Sequence, residues 1–280
     1  MKIGVFDSGY GGLTVLARCV QACQEAFGQT PTFVYYADQD HAPYGERTRQ
    51  DVRDLTEQAV RFLRDMEQVD MVIIACNTAT SYGATHLRKI YRFPIIGIEP
   101  AIKPASQQIN KQEFVLVTAT PLMLQSSRLQ TQIEVLGLSS QVVLLPLPEL
   151  VRIAERAEGT WEEKQALAKS YLEGVIPELN TKNYGSVVLG CTHFPIFRPA
   201  YESVFQAYGQ SPHFADGSIG VAKQLVRLIQ SQNRQLTKES ELIFYQSGRR
   251  LVGEQRQVFQ ELYQAIQTQF EQEPKERSLS

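Results

Sequence analysis

Seven short apolar runs rich in β-branched residues alternate along the chain with longer stretches of helical spacing. The runs cover residues 2–6, 32–36, 71–76, 95–98, 114–117, 141–145 and 186–189. Such runs are typical of strands buried in a parallel sheet, and the stretches between them fit crossover helices. From Thr48 to Met66, for example, apolar residues recur every three or four positions, which predicts a helix packed on a sheet. The alternation therefore predicts an α/β fold.

A weak internal repeat runs through the 280 residues, a length that suits one large or two ordinary domains. A strand ending at Asp7 and Ser8 is followed by a run that ends at Cys76. A later strand ending at Thr120 is followed by a run that ends at Cys191. Chance similarity between small α/β units is one explanation. The other, which we favour, is a pair of related domains that face each other and present one thiol each.

The overall composition argues against several classes of protein. Lys plus Arg number 28 and Asp plus Glu number 30, a formal net charge of -2, so no basic surface for nucleic acid is predicted. The N-terminal sequence MKIGVFDSG turns polar too soon for a signal peptide or a membrane span, which favours the cytoplasm and no membrane partner. The four scattered cysteines are expected to be reduced thiols rather than a disulfide framework.

Two of these cysteines, Cys76 and Cys191, directly follow apolar runs and precede small polar residues. The carboxyl ends of parallel strands face the ligand crevice of an open sheet. A helix that begins just after each cysteine is expected to lower the thiol pKa and to offer N–H groups to a carboxylate. A single free cysteine is more often a small buried hydrophobe, but two in matched contexts favour a functional pair.

The remaining cysteines, Cys19 and Cys23, lie four positions apart in a predicted helix, and we expect them only to pack there. A metal site made from Cys76, Cys191 and His193 is the rival interpretation of the other thiols. It lacks the closely spaced ligand pairs that such sites use, so no metal is predicted. His193 instead stands two residues after a thiol, where a base can relay protons.

Two polar loops are further candidates for a binding site. The glycine-rich turn over residues 7–14 could bring backbone N–H groups to an anion, but it matches neither a Walker A loop nor a dinucleotide fingerprint. Asp7 in this turn could bind a substrate ammonium or merely stabilise the turn. The loop at residues 38–45, with Pro43 and Gly45, could line a site or form an ordinary surface turn.

Four motifs together resemble the glutamate racemases of the aspartate/glutamate racemase superfamily, over residues 3 to about 220. They are Asp-Ser-Gly-x-Gly-Gly-Leu at 7–13, Asp38 with Pro-Tyr-Gly at 43–45, Ala-Cys-Asn-Thr-Ala at 75–79, and Leu-Gly-Cys-Thr-His-Phe-Pro at 189–195. Fainter matches include Thr120 with Ser126 and the stretch that ends at Glu155. Met123 and Arg249 depart from the family pattern, at a second threonine and at an acid respectively.

The resemblance implies two doubly wound parallel-sheet domains related by a pseudo-twofold axis, with the active site between them. The first would comprise residues 1–97 with 210–280, and the second residues 98–209. It also implies a cytoplasmic homodimer that interconverts L-glutamate and D-glutamate without a cofactor, supplying D-glutamate for peptidoglycan.

Residue roles follow from the same resemblance. Cys76 and Cys191 would exchange protons with the substrate from opposite faces, assisted by Asp7, Glu155 and His193. The residues that would bind substrate are Asp7, Ser8, Pro43, Tyr44, Gly45, Asn77, Thr78, Thr120 and Thr192.

Two rival functions remain open at the level of sequence. One is a racemase of the same superfamily that acts on aspartate or another small acid, although the Thr-His-Phe-Pro sequence after Cys191 favours glutamate. The other is a non-catalytic protein that binds a small acid on the same scaffold. The presence of both cysteines argues against it, because binding alone needs no pair of thiols.

Overall fold

The computed structural model describes residues 1–156, 158–232, 236 and 240–272. Its strands are β1 (Lys2–Asp7), β2 (Thr32–Ala37), β3 (Met71–Ile74), β4 (Ile95–Gly97), β5 (Phe114–Ala119), β6 (Val142–Pro146), β7 (Tyr184–Leu189), β8 (His213–Asp216), β9 (Leu242–Gln246) and β10 (Arg249–Arg250). Its helices are α1 (Leu13–Phe27), α2 (Arg49–Asp65), α3 (Asn77–Ala79), α4 (Thr85–Ile90), α5 (Ile102–Ser106), α6 (Pro121–Leu124), α7 (Ser127–Val135), α8 (Pro148–Glu155), α9 (Trp161–Val175), α10 (Arg198–Ala207), α11 (Ser218–Ser231) and α12 (Gly253–Gln272). Short helical turns cover Gln39–His41, Tyr44–Glu46, Thr80–Ala84 and Phe194–Phe197.

The strands form two sheets. The first has the order β10-β9-β2-β1-β3-β4, and the second has the order β6-β5-β7-β8. Every pairing is parallel except that of β10 with β9. The predicted α/β fold with parallel sheets is confirmed, and all seven predicted strands are present.

The two sheets share an arrangement that locates their ligand crevices. In the first, β1 lies between β2 and β3, and in the second, β5 lies between β6 and β7. Where the chain leaves neighbouring strands in opposite directions, a crevice opens outside their carboxyl ends. The crevices are therefore expected at the ends of β1 and β3 in one sheet and of β5 and β7 in the other.

The predicted helix between Thr48 and Met66 is α2, and the residue just before it shows why the helix begins there. Thr48 has an extended backbone, and its side chain accepts a hydrogen bond from the N–H of Asp51, which caps the helix. The face that carries Val52, Ala59 and Leu63 is buried, so the apolar stripe packs as expected.

The proposed division into domains stays a prediction, and one strand lies across its second boundary. β8 pairs with β7, so it belongs to the second sheet, although the boundary at 209/210 assigned it to the first domain. The edge of β7 is completed by the strand that follows its crossover helix α10. By contrast, β9 pairs with β2, so the C-terminal segment extends the first sheet. Residues 273–280 lie outside the described residues.

The largest apolar core includes α1, which packs against α11 and α12. Cys19 and Cys23 are fully buried in that core. No helix within the described residues is both long and apolar enough to cross a membrane.

Candidate active site

Both predicted thiols lie at the crevices that the strand order defines. Cys76 follows β3 and neighbours the end of β1, where Asp7 and Ser8 lie. Cys191 follows β7 and neighbours the end of β5, after which Thr120 lies. All four cysteines are free, and these two retain 6% and 8% exposure respectively. The matched strand ends of the sequence thus correspond to matched positions in the fold.

The surroundings of Cys76 combine one backbone donor, one hydroxyl and one carboxylate. Its Sγ accepts from the N–H of Ala79 at 3.5 Å and lies 3.7 Å from Oγ of Ser8. Burial and the nearby negative charge of Asp7 raise the pKa of Cys76 well above that of a free thiol, and the Ala79 N–H offsets this only in part. The lowered pKa that we predicted for this thiol is therefore wrong, because burial and the charge of Asp7 outweigh the N–H groups at the start of the helix.

Asp7 is fully buried between the two halves of the site. Its Oδ2 accepts from the N–H of Gly12 at 2.6 Å and from the hydroxyl of Thr192 at 3.3 Å. Within the described part of the chain, its Oδ1 is buried without a hydrogen-bond partner, as is Oδ1 of Asn77. Burial raises the pKa of Asp7, although the positive charge of His193 works against it. A buried carboxylate oxygen that lacks a hydrogen-bond donor is a favourable binding site for a positively charged group.

Cys191 has a different partner, a histidine held by an acid. Nδ1 of His193 lies 3.6 Å from Sγ of Cys191, and its Nε2 contacts Oε1 of Glu155. Burial lowers the pKa of His193, but the charge of Glu155 and the hydrogen bonds at both ring nitrogens outweigh it and raise this pKa well above its usual value. Burial likewise works to raise the pKa of Glu155, but His193 and further donors bring it below its ordinary value. The pair is therefore charged at neutral pH.

The threonines meet across the two sheets. Oγ1 of Thr78 lies 3.0 Å from Oγ1 of Thr120, and both residues are buried. Gly45 packs so closely on Thr120 that a Cβ atom there would lie 2.6 Å from the threonine Cβ. Tyr44 is buried and donates its hydroxyl to Asp38 at 2.7 Å. Pro43, joined to Ala42 by a cis peptide bond, precedes this turn.

The structure thus joins most of the predicted site residues through direct contacts. Ser8 contacts Cys76, Thr192 contacts Asp7, and Glu155 reaches Cys191 through His193. Within the described part of the chain, no hydrogen bond joins the side chain of Asn77 to another predicted residue, and Pro43 has no polar side-chain atom to form one. Their roles, like the substrate contacts of the whole set, stay predictions.

Several contacts were missed by sequence reasoning. Glu155 accepts from the N–H of Tyr10 at 2.9 Å and from Nε2 of Gln39 at 2.6 Å. The hydroxyl of Thr14 donates to the carbonyl of Thr192 at 3.1 Å. Gln39 lies in the polar loop that the sequence marked as a candidate, but no local pattern indicates which loop residue reaches α8.

The two departures from the family pattern have identifiable partners. Met123 is buried in α6, donates its N–H to Oγ1 of Thr120 at 3.3 Å and accepts the hydroxyl of Ser81 on sulfur at 3.0 Å. Arg249 lies on the surface and donates to both carboxylate oxygens of Asp40 at 3.0 Å. Met123 therefore borders the site, whereas Arg249 ties the β9–β10 hairpin to the 38–45 loop.

The described residues contain no group of three or more His, Cys, Asp or Glu side chains arranged to hold a metal ion.

A family model of Asp/Glu/hydantoin racemases matches residues 3–223. The chain belongs to this family. It is 36% identical over 256 residues to glutamate racemase 2 of Bacillus subtilis, which covers 91% of this chain and 92% of that protein.

Solved racemase structures share the fold. The chain matches the glutamate racemase of Aquifex pyrophilus with a TM-score of 0.69 and 27% identity, covering 96% of this chain and 95% of that one. It matches the Francisella tularensis glutamate racemase in complex with D-glutamate with a TM-score of 0.71 and 26% identity, covering 94% and 92%. The suspected resemblance to this family is confirmed.

The buried pair Cys19 and Cys23 provides a control for the assignment of the thiols. The double change Cys19→Ser with Cys23→Ser is expected to leave turnover within a small factor of wild type, since both side chains lie on the buried face of α1, within the apolar core. Its free energy of unfolding should fall by about 1 to 3 kcal/mol because two buried sulfurs become hydroxyls. Urea titration and steady-state kinetics measure both effects. A collapse of turnover in a folded double variant would contradict our choice of thiols.

Proposed function

We propose that this chain catalyses the cofactor-independent interconversion of L-glutamate and D-glutamate, with Cys76 and Cys191 as its two acid–base groups. The observation that carries the proposal is the presence of one thiol at each of two matching crevices, each with its own proton partner. Inversion at an α-carbon requires a proton to leave one face and another to arrive at the opposite face. One thiol on each of the two sheets can meet this requirement. The product would supply D-glutamate for peptidoglycan.

The resting protonation states follow from the electrostatics. A protonated His193 lies beside Cys191, where it can exchange a proton with the sulfur. Burial and Asp7 keep the pKa of Cys76 raised, so it rests as a thiol. This combination is ready for L-glutamate if Cys191 faces its α-proton, as the family resemblance implies. Cys191 then removes the proton, and Cys76 donates its own to the other face.

For D-glutamate the roles reverse. Cys76 must act as the base, and its proton must first be accepted by a neighbouring group. Asp7 is the acceptor that we assign, because burial raises its pKa above its ordinary value and its charge acts directly on Cys76. His193 first gives a proton to Cys191, which then delivers it to the opposite face of the α-carbon. Asp7 afterwards releases its proton to solvent and His193 takes one up, which restores the starting state.

Substrate binding is assigned to the polar groups around the two thiols. The buried Oδ1 of Asp7 would accept a hydrogen bond from the α-ammonium, whose charge offsets the cost of burying the carboxylate. The hydroxyls of Ser8, Thr78, Thr120 and Thr192 and the amide of Asn77 would bind the α-carboxylate and the charge that develops at the α-carbon. The turn with Pro43, Tyr44 and Gly45 would approach the distal carboxylate.

The direct test is incubation of purified protein with L-glutamate while circular dichroism is recorded. The signal is expected to decay to zero as the two enantiomers equalise. L-aspartate, one methylene shorter, is the matched control and should decay far more slowly. Faster decay with aspartate would favour the rival racemase, and stable signals with both would favour a non-catalytic binding protein.

A second prediction concerns reagents. Activity should survive a metal chelator and a carbonyl reagent, because the proposed chemistry uses only protein groups, and it should be abolished by thiol alkylation. The control is the double serine variant at Cys19 and Cys23, which should be inactivated at the same rate as wild type. Loss of activity with the chelator and its return with added metal would contradict the proposal.

The compartment and the assembly are also proposed. Two catalytic thiols must stay reduced, which suits the cytoplasm. The family resemblance implies a homodimer, so light scattering coupled to size-exclusion chromatography should give the mass of two chains. The mass of a single chain at micromolar concentration would contradict this.

A further inference from the structure

We propose that Gln39 is a positioning residue for the proton transfer at Cys191, acting by fixing the carboxylate of Glu155 that holds His193. The inference rests on the proposed function and adds a group that neither the sequence motifs nor the proposed mechanism includes. Gln39 lies in the first helical turn after β2, on the first sheet, whereas Glu155 ends α8, on the second.

The hydrogen bonds of Glu155 divide between its two oxygens. Oε1 accepts from the N–H of Tyr10 and contacts Nε2 of His193. Oε2 accepts from Nε2 of Gln39 at 2.6 Å, and within the described residues no other donor reaches this oxygen. Tyr10 and Gln39 therefore fix the two ends of the carboxylate, and the carboxylate fixes the ring of His193.

The position of His193 decides the geometry at the thiol. Its other nitrogen lies 3.6 Å from Sγ of Cys191, a long contact that a small rotation of the ring would break. The carboxylate has 14% side-chain exposure, so loss of a donor leaves a charged oxygen with little access to water. Without Gln39, the carboxylate can rotate and the imidazole with it.

The amide is suited to this task because it is neutral. Other charged or titratable groups that act on Glu155 are His193, Lys164, Asp7, Tyr10 and Tyr35. A second carboxylate at position 39 would oppose Glu155 directly, and two carboxyl groups this close share a proton. Glutamine donates a hydrogen bond without changing the charge of the pair.

A purely structural role for Gln39 is the competing explanation, since its hydrogen bond also joins the two sheets. Gln39→Met keeps the length of the side chain and removes the donor. Asp40→Asn is the matched control, because Asp40 lies in the same turn and is exposed. Among described groups its carboxylate accepts from Arg249, and its backbone N–H donates to the hydroxyl of Ser247. We expect kcat/KM to fall about tenfold in Gln39→Met and to stay unchanged in Asp40→Asn.

Isotope effects separate positioning from loss of structure. The equilibrium constant between enantiomers is one, so kcat/KM must fall equally in both directions in any variant. If only the transfer at Cys191 slows, that step limits the rate more strongly. In Gln39→Met the deuterium isotope effect on kcat/KM should then rise with C2-deuterated L-glutamate and fall with C2-deuterated D-glutamate. Isotope effects that stay unchanged, or that move together, would overturn the inference.

A measurement without glutamate keeps the test independent of the proposed function. The rates of iodoacetamide alkylation at Cys76 and Cys191 can be followed by peptide mass spectrometry across pH. In Gln39→Met the carboxylate of Glu155 loses the donor that holds its Oε2, so the charged ring of His193 no longer stays in contact with the sulfur of Cys191. As the pH is lowered, the alkylation rate of Cys191 should begin to fall at a higher pH in the variant than in wild type. The alkylation rate of Cys76 should be the same in both proteins. If the alkylation rate of Cys191 depends on pH in the same way in variant and wild type, the role of Gln39 is refuted even if wild type racemises glutamate. The expected shift would support this role even if the substrate is not glutamate.

Discussion

Replacement of either thiol by alanine is expected to lower racemisation in both directions by about 10⁴-fold, the upper end of the range for a positioned acid–base group. Each thiol is the base in one direction and the acid in the other, so neither direction survives the loss of one partner. Cys76→Ala and Cys191→Ala should therefore be equally inactive when D- and L-glutamate are supplied separately. The double serine variant at Cys19 and Cys23 is the matched control.

The same variants should differ in solvent exchange. In deuterated water, Cys76→Ala retains Cys191 and its His193 partner, so it should slowly exchange the α-proton of L-glutamate without inversion. Cys191→Ala retains Cys76 and should label D-glutamate. Mass spectrometry after separation of the enantiomers measures this label. Full racemisation by either variant, or exchange with the opposite preference, would contradict the assignment of the two faces.

Asp7→Asn is expected to lower kcat/KM by about 10²-fold, comparable to the loss of one preorganised electrostatic group. The change preserves the size of the side chain and leaves an oxygen for the N–H of Gly12, but it removes the charge proposed to bind the ammonium. Activity and stability should move in opposite directions, because replacing a buried carboxylate by an amide is expected to raise the free energy of unfolding by about 1 kcal/mol.

The pH dependence of this stability difference has a definite sign. Burial raises the pKa of Asp7 in the folded protein. The unfolded chain releases the same proton near pH 3.9, so Asp7 costs stability as pH rises above about that value. The increase in the free energy of unfolding caused by Asp7→Asn should thus be largest near neutral pH and become smaller as the pH is lowered. Asp40→Asn, an exposed control, should change neither activity nor stability, and a destabilised Asp7→Asn would contradict this account of the carboxylate.

Much of the fold could be predicted because its strands are apolar and its helices are amphipathic. Thr48 was the predicted start of a helix and is its N-cap. The strands β8, β9 and β10 were missed. β8 begins with His213 and ends with Asp216, and β10 consists of two exposed arginines, so neither is an apolar run. β9 does contain an apolar run, Leu-Ile-Phe-Tyr, which the sequence analysis passed over, and its pairing with β2 is distant in sequence.

The site could be predicted in part for a similar reason. Cys76 and Cys191 stand at strand ends, and the strand order of an α/β sheet determines which ends meet. The contacts of Glu155 with Tyr10 and Gln39, which follow strands of the opposite sheet, depend on how the two sheets approach each other, and no local pattern encodes this. The raised pKa of Cys76 also escaped prediction, because the degree of burial and the distance to Asp7 are properties of the tertiary structure.

The most direct test of the two-thiol account is the isotopic content of the first D-glutamate formed from ordinary L-glutamate in deuterated water. One thiol removes the protium, and the other, exchanged with solvent, delivers deuterium to the opposite face. The account predicts that the earliest D-glutamate carries deuterium at the α-carbon while the remaining L-glutamate still carries protium. Early D-glutamate that retains its original α-proton would contradict the account, because a single group would then have carried that proton from one face to the other.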